Sequence, residues 1–297
     1  MARKRKGRKI DGWLVIDKPL GLTSTQVVGK VRWLTKAAKI GHGGTLDPLA
    51  SGILPIAMGE ATKTIPFIMD ARKAYRFTIT WGEQRNTDDA EGEVTAVSEV
   101  RPTEEEILKI LPQFTGRILQ RPPAFSAIKV DGKRAYDLAR AGEEVELKER
   151  KVDIFGLELI EAQKGEATFE TECGKGTYIR SLARDMAHAL GTCGYVSMLR
   201  RTKVGCFGES ESISLDNLEK LVHSAPLEDR ILAVETVLDD ILALAVTAEE
   251  AKRLQQGQKL PVPNRPEGLV RITCDGRFIA LAEISEGILK PVRVFNF

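Results

Sequence analysis

One carboxylate in an unusual setting offers the first chemistry. Asp47 lies in GHGGTLDPLASG, residues 41 to 52, whose four glycines and one proline mark a loop held in an irregular path. The loop lacks the Lys-Ser/Thr pair of a P-loop and the spacing of G-x-G-x-x-G, so nucleoside triphosphate binding is a poor reading of it. Pro48 fixes the backbone just after Asp47 and removes an N–H. An Asp-Pro pair in a loop ordinarily caps a turn. Kept ionised by a nearby cation and sheltered from water, the same aspartate is a nucleophile. Candidate cations are Arg180, just after the turn Gly174-Lys175-Gly176-Thr177-Tyr178, and Lys18, Lys63 and Arg76. Tyr75 and Tyr178 stand near junctions of loop and regular structure, where an aromatic ring either stacks on a base or joins the core. His42 suits a substrate contact better than a metal, because three histidines and four scattered cysteines with no C-x-x-C pair offer no metal-ligand spacing. No metal is expected.

Several elements must hold these residues. Trp13 to Ile16 reads as a strand closed at Asp17-Lys18-Pro19, followed by a helix capped by Ser24 or Thr25, with Val27, Val31 and Leu34 on one face. Ile53 to Met58 reads as a short buried strand, and Glu60 to Met69 as a helical segment that Pro66 can break. Tyr75, Phe77, Ile79 and Trp81 alternate with polar residues, the period of a half-buried strand. A strand around Gly92 to Val97 precedes a helix that Thr103 and Glu106 open as a capping box. Residues 121 to 150, with Pro122-Pro123, a hairpin signal at Asp131-Gly132 and a basic helix at 134 to 140, read as an insertion. Strands at 152 to 161 and 166 to 173 lead to a helix from Ile179 to Leu190 that ends at Gly191. Leu215 to Val222 is a further helix. Beyond an acidic connection, Thr247 and Glu250 open another helix, and strands flanking Asp275-Gly276 and near Lys290 to Val294 complete a small β-rich module.

Composition bounds the class. At 297 residues, 42% hydrophobic and 29% charged, the chain has the make-up of an ordinary globular protein of about two domains. The 44 basic and 42 acidic residues leave +2, but residues 1 to 9 hold six basic residues and no acid, so the remainder is 38 minus 42, or −4. The basic excess thus sits on a tail, and a nucleic-acid partner needs a better warrant than net charge. Lys30, Arg32, Lys36 and Lys39 in one acid-free stretch, and Arg72, Lys73 and Arg76 in another, supply candidate backbone contacts, while 211 to 250 is acidic. No apolar segment approaches a membrane span, and reduced thiols with no signal-peptide core point to the cytoplasm.

The sequence GHGGTLDPLASGILPIAMGEATK strongly resembles the signature of the TruB family of tRNA pseudouridine synthases. The resemblance continues, in the family's order, through GWLVIDKPLGLTST, KAYRFTITWGEQRNTDDAEG, QRPPAFSAIKVDGKRAYDLAR and CGKGTYIRSLARDMAHALG, and spans residues 12 to about 205. It implies an α/β (α+β) pseudouridine synthase fold with a central, mixed, largely antiparallel sheet flanked by helices. It also implies a catalytic domain over 11–236, an RNA-clamping insertion at about 121–150, and a PUA-like C-terminal domain over 237–297. Residues 1–10 would be a basic flexible tail.

By the same resemblance Asp47 is the catalytic aspartate that isomerises uridine-55 of the tRNA T loop after base flipping, by attack at C6 or at C1′. Tyr75 would stack on the base and take the C5 proton, and Arg180 would pair with Asp47. His42, Lys63, Tyr178 and Leu199 match positions in or near the substrate pocket. The implied partner is the T arm of tRNA, with no cofactor, no membrane and no obligatory protein partner, and the chain is expected to act as a monomer in the cytoplasm. An RNA chaperone that folds the tRNA elbow without chemistry, and a hydrolase using the same carboxylate, are the rival readings.

Overall fold

A nine-stranded mixed sheet carries the site, and its order is dictated by long-range pairing. The structure, a computed structural model, describes residues 7–126, 128–130, 133–140 and 147–297. In chain order the elements are β1 (Gly12–Lys18), α1 (Ser24–Thr35), β2 (Ile40–His42), β3 (Ala50–Met58), α2 (Ile65–Asp70), β4 (Lys73–Trp81), β5 (Glu83–Arg85), β6 (Val94–Val97) and α3 (Glu104–Ile110). There follow β7 (Gly116–Gln120), β8 (Lys129–Val130), β9 (Lys133–Arg134), α4 (Ala135–Arg140), β10 (Arg150–Gln163), β11 (Glu166–Cys173), α5 (Ile179–Ala189), β12 (Gly194–Val204), β13 (Ser212–Ser214) and α6 (Leu215–Ser224). The C-terminal elements are β14 (Ala243–Ala245), α7 (Ala248–Gln255), β15 (Leu260–Pro261), β16 (Gly268–Cys274), β17 (Arg277–Ser285) and β18 (Ile288–Val294).

The large sheet runs β13-β1-β3-β12-β4-β11-β10-β7, with β2 paired to β3. Only β1 with β13 and β12 with β3 pair in parallel within it; the other ladders are antiparallel. The period-two pattern of β4 is realised at the centre of this sheet: Phe77, Ile79 and Trp81 are buried and meet Ile179, Leu182, Ala183, Met186 and Ala187 of α5 in one core cluster. Phe77 stacks on Phe169 of β11 with centroids 5.3 Å apart. Each such fully buried large side chain stabilises the fold by roughly 1.5–3 kcal/mol. A second cluster joins Val27 and Val31 of α1 to Leu14, Ile16, Leu54 and Ile56.

The second sheet, β14-β16-β17-β18-β15, holds the C-terminal residues and packs on the first through Phe278, Leu281 and Phe295 against Trp13, Ile53 and Phe207. Its edge strands β14 and β15 are two or three residues long and carry no legible period. Among the described residues, no helix is long and apolar enough to cross a membrane.

Local expectations meet the structure closely, with one correction. The N-cap of α1 is Thr23, which forms a capping box with Gln26, not Ser24 or Thr25. Ser24 is withheld from capping by a different bond, described below. Pro66 falls in the first turn of α2, so the helical segment breaks after a single 3-10 turn at Gly59–Lys63. The Thr103–Glu106 capping box is present. The Asp131-Gly132 turn, residues 1–6 and residues 141–146 lie outside the described residues, but β8 and β9 on either side of that turn pair antiparallel.

Gly52 lies near the start of β3, where the chain leaves the loop. Its φ is +100°, and a Cβ there would sit 2.2 Å from the Arg201 carbonyl oxygen, because β3 and β12 run side by side at this point. Gly52→Ala should lower unfolding free energy by at least about 2 kcal/mol, combining strain and clash. Urea denaturation checks this, and an unchanged midpoint would rule out the close approach.

Candidate active site

The loop that carries Asp47 is held from underneath by three buried side chains. The Ser24 hydroxyl donates to the Leu46 carbonyl at 3.0 Å and accepts from the Leu46 N–H at 2.8 Å. Lys18, fully buried, donates through Nζ to the carbonyls of Leu22, Pro19 and Pro48. Arg201, 2% exposed, donates to the carbonyls of Ile53 at 2.8 Å, Gly44 at 3.1 Å and Thr45 at 3.3 Å. Together with the Gly21 N–H on the Pro48 carbonyl at 2.9 Å, these bonds fix the backbone on both sides of Asp47. Burial pushes the Lys18 amine down to about 8, against the pull of Asp47.

Asp47 itself stays reachable, its side chain 42% exposed, and its Oδ2 lies 2.9 Å from Arg180 Nη2. The Arg180 side chain is only 6% exposed. It also donates to the carbonyls of Thr87 at 2.8 Å and Phe125 at 3.0 Å, and stands 3.5 Å from Asp89. One guanidinium thereby joins the loop, the segment after β5 and the start of the insertion. A charge so enclosed and so bonded is a fixed counter-ion rather than a surface partner.

The start of α5 aims Arg180. Tyr178 is the N-cap residue but provides no side-chain cap; instead Gln120, 1% exposed, brackets its peptide group, accepting from Tyr178 N at 2.8 Å and donating to Tyr178 O at 3.1 Å. The Tyr178 ring meets the Arg150 guanidinium at 5.0 Å. One turn on, Arg184 pairs with Asp88 at 2.9 Å.

Tyr75 stands opposite Arg201 across the β4–β12 ladder, so both side chains project to one face and the guanidinium charge acts on the phenol. Burial raises the phenol above its ordinary value while Arg201 pulls it back. His42, at the end of β2, is half-buried; burial and then Arg201 hold its imidazole below the ordinary value, and its Nδ1 has no hydrogen-bond partner among the described residues. Leu199 of β12 lines a small cleft together with Asp47, Leu49, Asp89, Arg180, Val196 and Met198.

Two expected cations are placed elsewhere. Lys63 points into the seam with the second sheet, where its Nζ meets Glu60 and donates to the Val294 carbonyl at 2.7 Å, 5.5 Å from the Phe295 ring. Arg76 pairs with Glu170, its cross-strand neighbour, and so lies on the face of the sheet opposite Tyr75. Lys73 is buried, its ammonium on the carbonyls of Met69 and Ala71. The stretch Arg72 to Arg76 therefore presents no row of cations beside Asp47. From the sequence Ser24 reads only as a helix cap, and Gln120, Asp89 and Arg201 are not singled out. For Arg201 a signal existed: adjacent arginines in a strand must point to opposite faces, so one of Arg200 and Arg201 had to turn inward.

Sequence comparison places this architecture in a class. The description "TruB family pseudouridylate synthase (N terminal domain)" fits residues 32–179, "tRNA pseudouridylate synthase B C-terminal domain" fits 180–239, and "Pseudouridine synthase II TruB, C-terminal" fits 243–295. The chain belongs to the TruB family of pseudouridylate synthases. It is 56% identical to a protein named tRNA pseudouridine synthase B from Bradyrhizobium diazoefficiens, over 99% of this chain and 88% of that one. A protein of the same name from Caulobacter vibrioides is 54% identical over 100% of this chain and 99% of its own length. Among solved structures, a chain in a crystal structure of a Cbf5-Nop10-Gar1 complex superposes with a TM-score of 0.74 at 26% identity, covering 96% of this chain and 84% of that one.

Asp88 provides a pH test of the site's electrostatics. Burial pushes its carboxyl up to about 6, with Arg184 and Arg180 opposing. The folded value exceeds the unfolded one, so the protonated group's contribution to stability is full below about pH 4 and lost as pH rises through about 6. The unfolding free energy of the wild type minus that of Asp88→Asn should therefore fall between pH 4 and 7; a flat difference would refute the raised value.

Proposed function

We propose that this chain isomerises uridine-55 in the T loop of tRNA to pseudouridine, with Asp47 as the attacking group. As an enzyme it is a tRNA pseudouridine synthase: relatives of that name align along its whole length at 50–56% identity. The finer reading rests on one observation, the 2.9 Å pair between an accessible Asp47 and an enclosed Arg180. In this pair the carboxylate has a cation fixed beside it and an open side toward the cleft, the arrangement a nucleophilic aspartate requires.

The target base is stacked in the folded elbow, so it is flipped out at a cost of about a few kcal/mol. Tyr75 stacks on it, while Leu199 and Tyr178 line its path. His42, at the end of β2 and the start of the loop, forms part of the wall beside the flipped nucleotide. The glycosidic bond C1′–N1 breaks, C1′ bonds to C5, the C5 proton leaves, and N1 acquires a proton, which makes the product an isomer. The aspartate attacks at C6 or at C1′, and the bond it forms breaks again before release, from C1′ as C1′ passes to C5 or from C6 by elimination, so that Asp47 is regenerated as a carboxylate; the pair serves either route. Residues 121–150 clamp the T arm, 237–297 form a PUA-like module, and the chain acts as a cytoplasmic monomer. Lys63 serves this reading as the tie between catalytic domain and module, since its bonds lie at that seam.

Asp47→Asn should slow pseudouridine formation on a T-arm minihelix by at least about 10³-fold while changing RNA affinity little. Carbodiimide primer extension reads the product and filter binding the affinity. Full activity would remove Asp47 from the chemistry, modification at another position would overturn the uridine-55 assignment, and release of free uracil would mark a hydrolase. Arg180→Lys should cost about 10²-fold in rate, because a point charge cannot reproduce the guanidinium's several directed bonds; the same assay reads it.

A further inference from the structure

Arg201 is among the largest fully buried side chains of the molecule, yet its hydrogen bonds go to backbone carbonyls, not to a carboxylate. An apolar residue would fill such a place at lower cost, so a buried cation there calls for a role beyond packing. The groups it joins define that role. Two of its carbonyl partners, Gly44 and Thr45, lie in the loop just before Asp47, and the third, Ile53, lies in β3 just after it. The ladder pairs Arg201 with Tyr75 on one side and with Gly52 on the other. A single buried residue therefore ties the loop of Asp47 to the strand of Tyr75.

We propose that Arg201 is a positioning residue of the isomerisation: its guanidinium holds the loop before Asp47 in register with Tyr75, its cross-strand neighbour, and eases the passage of the C5 proton to the Tyr75 oxygen. The proposal rests on the reading that Asp47 and Tyr75 act on uridine. The step balances as follows. Once C1′ has bonded to C5, the C5–H electrons return to the ring as the proton passes to the Tyr75 oxygen; N1, freed when its bond to C1′ broke, takes a proton from solvent; and Tyr75 later returns its proton to solvent. A phenolate enclosed in a protein needs a cation beside it. The groups that face Tyr75 are Arg201 from β12, Cys173 from β11 and Asp47 from the loop, and of these Arg201 alone favours the anion.

The test uses Arg201→Lys and Arg201→Gln in the full chain, each also combined with Tyr75→Phe, in single turnovers on T-arm RNA carrying tritium at uridine C5. Pseudouridine formation, tritium release, RNA affinity and thermal melting are read from pH 6 to 10. Arg201→Lys should slow tritium release by about 10²-fold and leave affinity within about threefold, because it acts on the reacting geometry rather than on binding. Its rate should rise with pH later than the wild type's, since the phenol loses its stabilising cation. In the Tyr75→Phe background the same change should cost no more than about threefold, as expected for two residues that act as one unit. A rate within twofold of wild type, a loss of affinity equal to the loss of rate, or the same factor with and without the Tyr75 hydroxyl overturns the proposal. Where Tyr75→Phe is too slow to follow, an unshifted pH profile overturns it. Failure of both Arg201 variants to fold would make the residue wholly structural and overturn it as well. The underlying reading fails separately, if the wild type makes no pseudouridine or Tyr75→Phe matches it.

Discussion

A loop that carries an accessible carboxylate beside a buried cation has to satisfy its own backbone where water is scarce. Unpaired, each buried carbonyl costs about 1–3 kcal/mol, enough for a few of them to undo the fold. The loop from Gly44 to Pro48 meets this constraint with donors from three distant strands and helices: Arg201, Ser24 and Lys18. Each is buried, so none exchanges its bond for water. Because the backbone on both sides of Asp47 is fixed, the carboxylate has little freedom beyond its own side-chain torsions, and Arg180 needs only to meet it.

The counter-ion is prepared in the same manner. Gln120 brackets the peptide of Tyr178, α5 begins there, and Arg180 follows two residues later, already bonded to Thr87 and Phe125. The apolar face of that helix packs on Phe77, Ile79 and Trp81, so the core of the sheet and the alignment of the ion pair are the same set of contacts. The carboxylates around it are graded by depth: Asp47 open, Asp89 nearly closed, and Asp88 buried, with its carboxyl pushed up to about 6. A preorganised pair of this kind loses little to solvent rearrangement when charge moves.

The sequence displayed whatever depends on near neighbours. The alternation of β4, the capping boxes at Thr103 and Thr247, the break at Pro66 and the glycine-framed loop around Asp47 are all local, and all are where their spacing puts them. The bonds that hold the site are not local. Ser24 meets Leu46 across 22 residues, Gln120 meets Tyr178 across 58, and Arg201 meets the loop across more than 150. Nothing in a window of ten residues distinguishes such a serine from a helix cap, which is why Ser24 reads as a cap and Thr23 turns out to be one. Charge misled for a related reason. Arg76 and Lys63 are as basic as Arg180, and only the direction of a strand and the presence of a second sheet assign them elsewhere.

The place of β12 in the large sheet bears on how the molecule comes to exist. This strand, Gly194–Val204, lies between β3 and β4 and, among the described residues, alone links the two halves of the sheet. A ribosome delivers the chain from its first residue, so β1 and β3 can pair, and β4 can meet β11 and β10, long before their common neighbour has been made. Until then the two half-sheets have unsaturated edges facing one another. Closure between such remote segments is slow, and open edges invite pairing with other chains. Arg201 rides on that late-arriving strand, so the loop around Asp47 gains its bonds to the guanidinium only when the two halves of the sheet are joined.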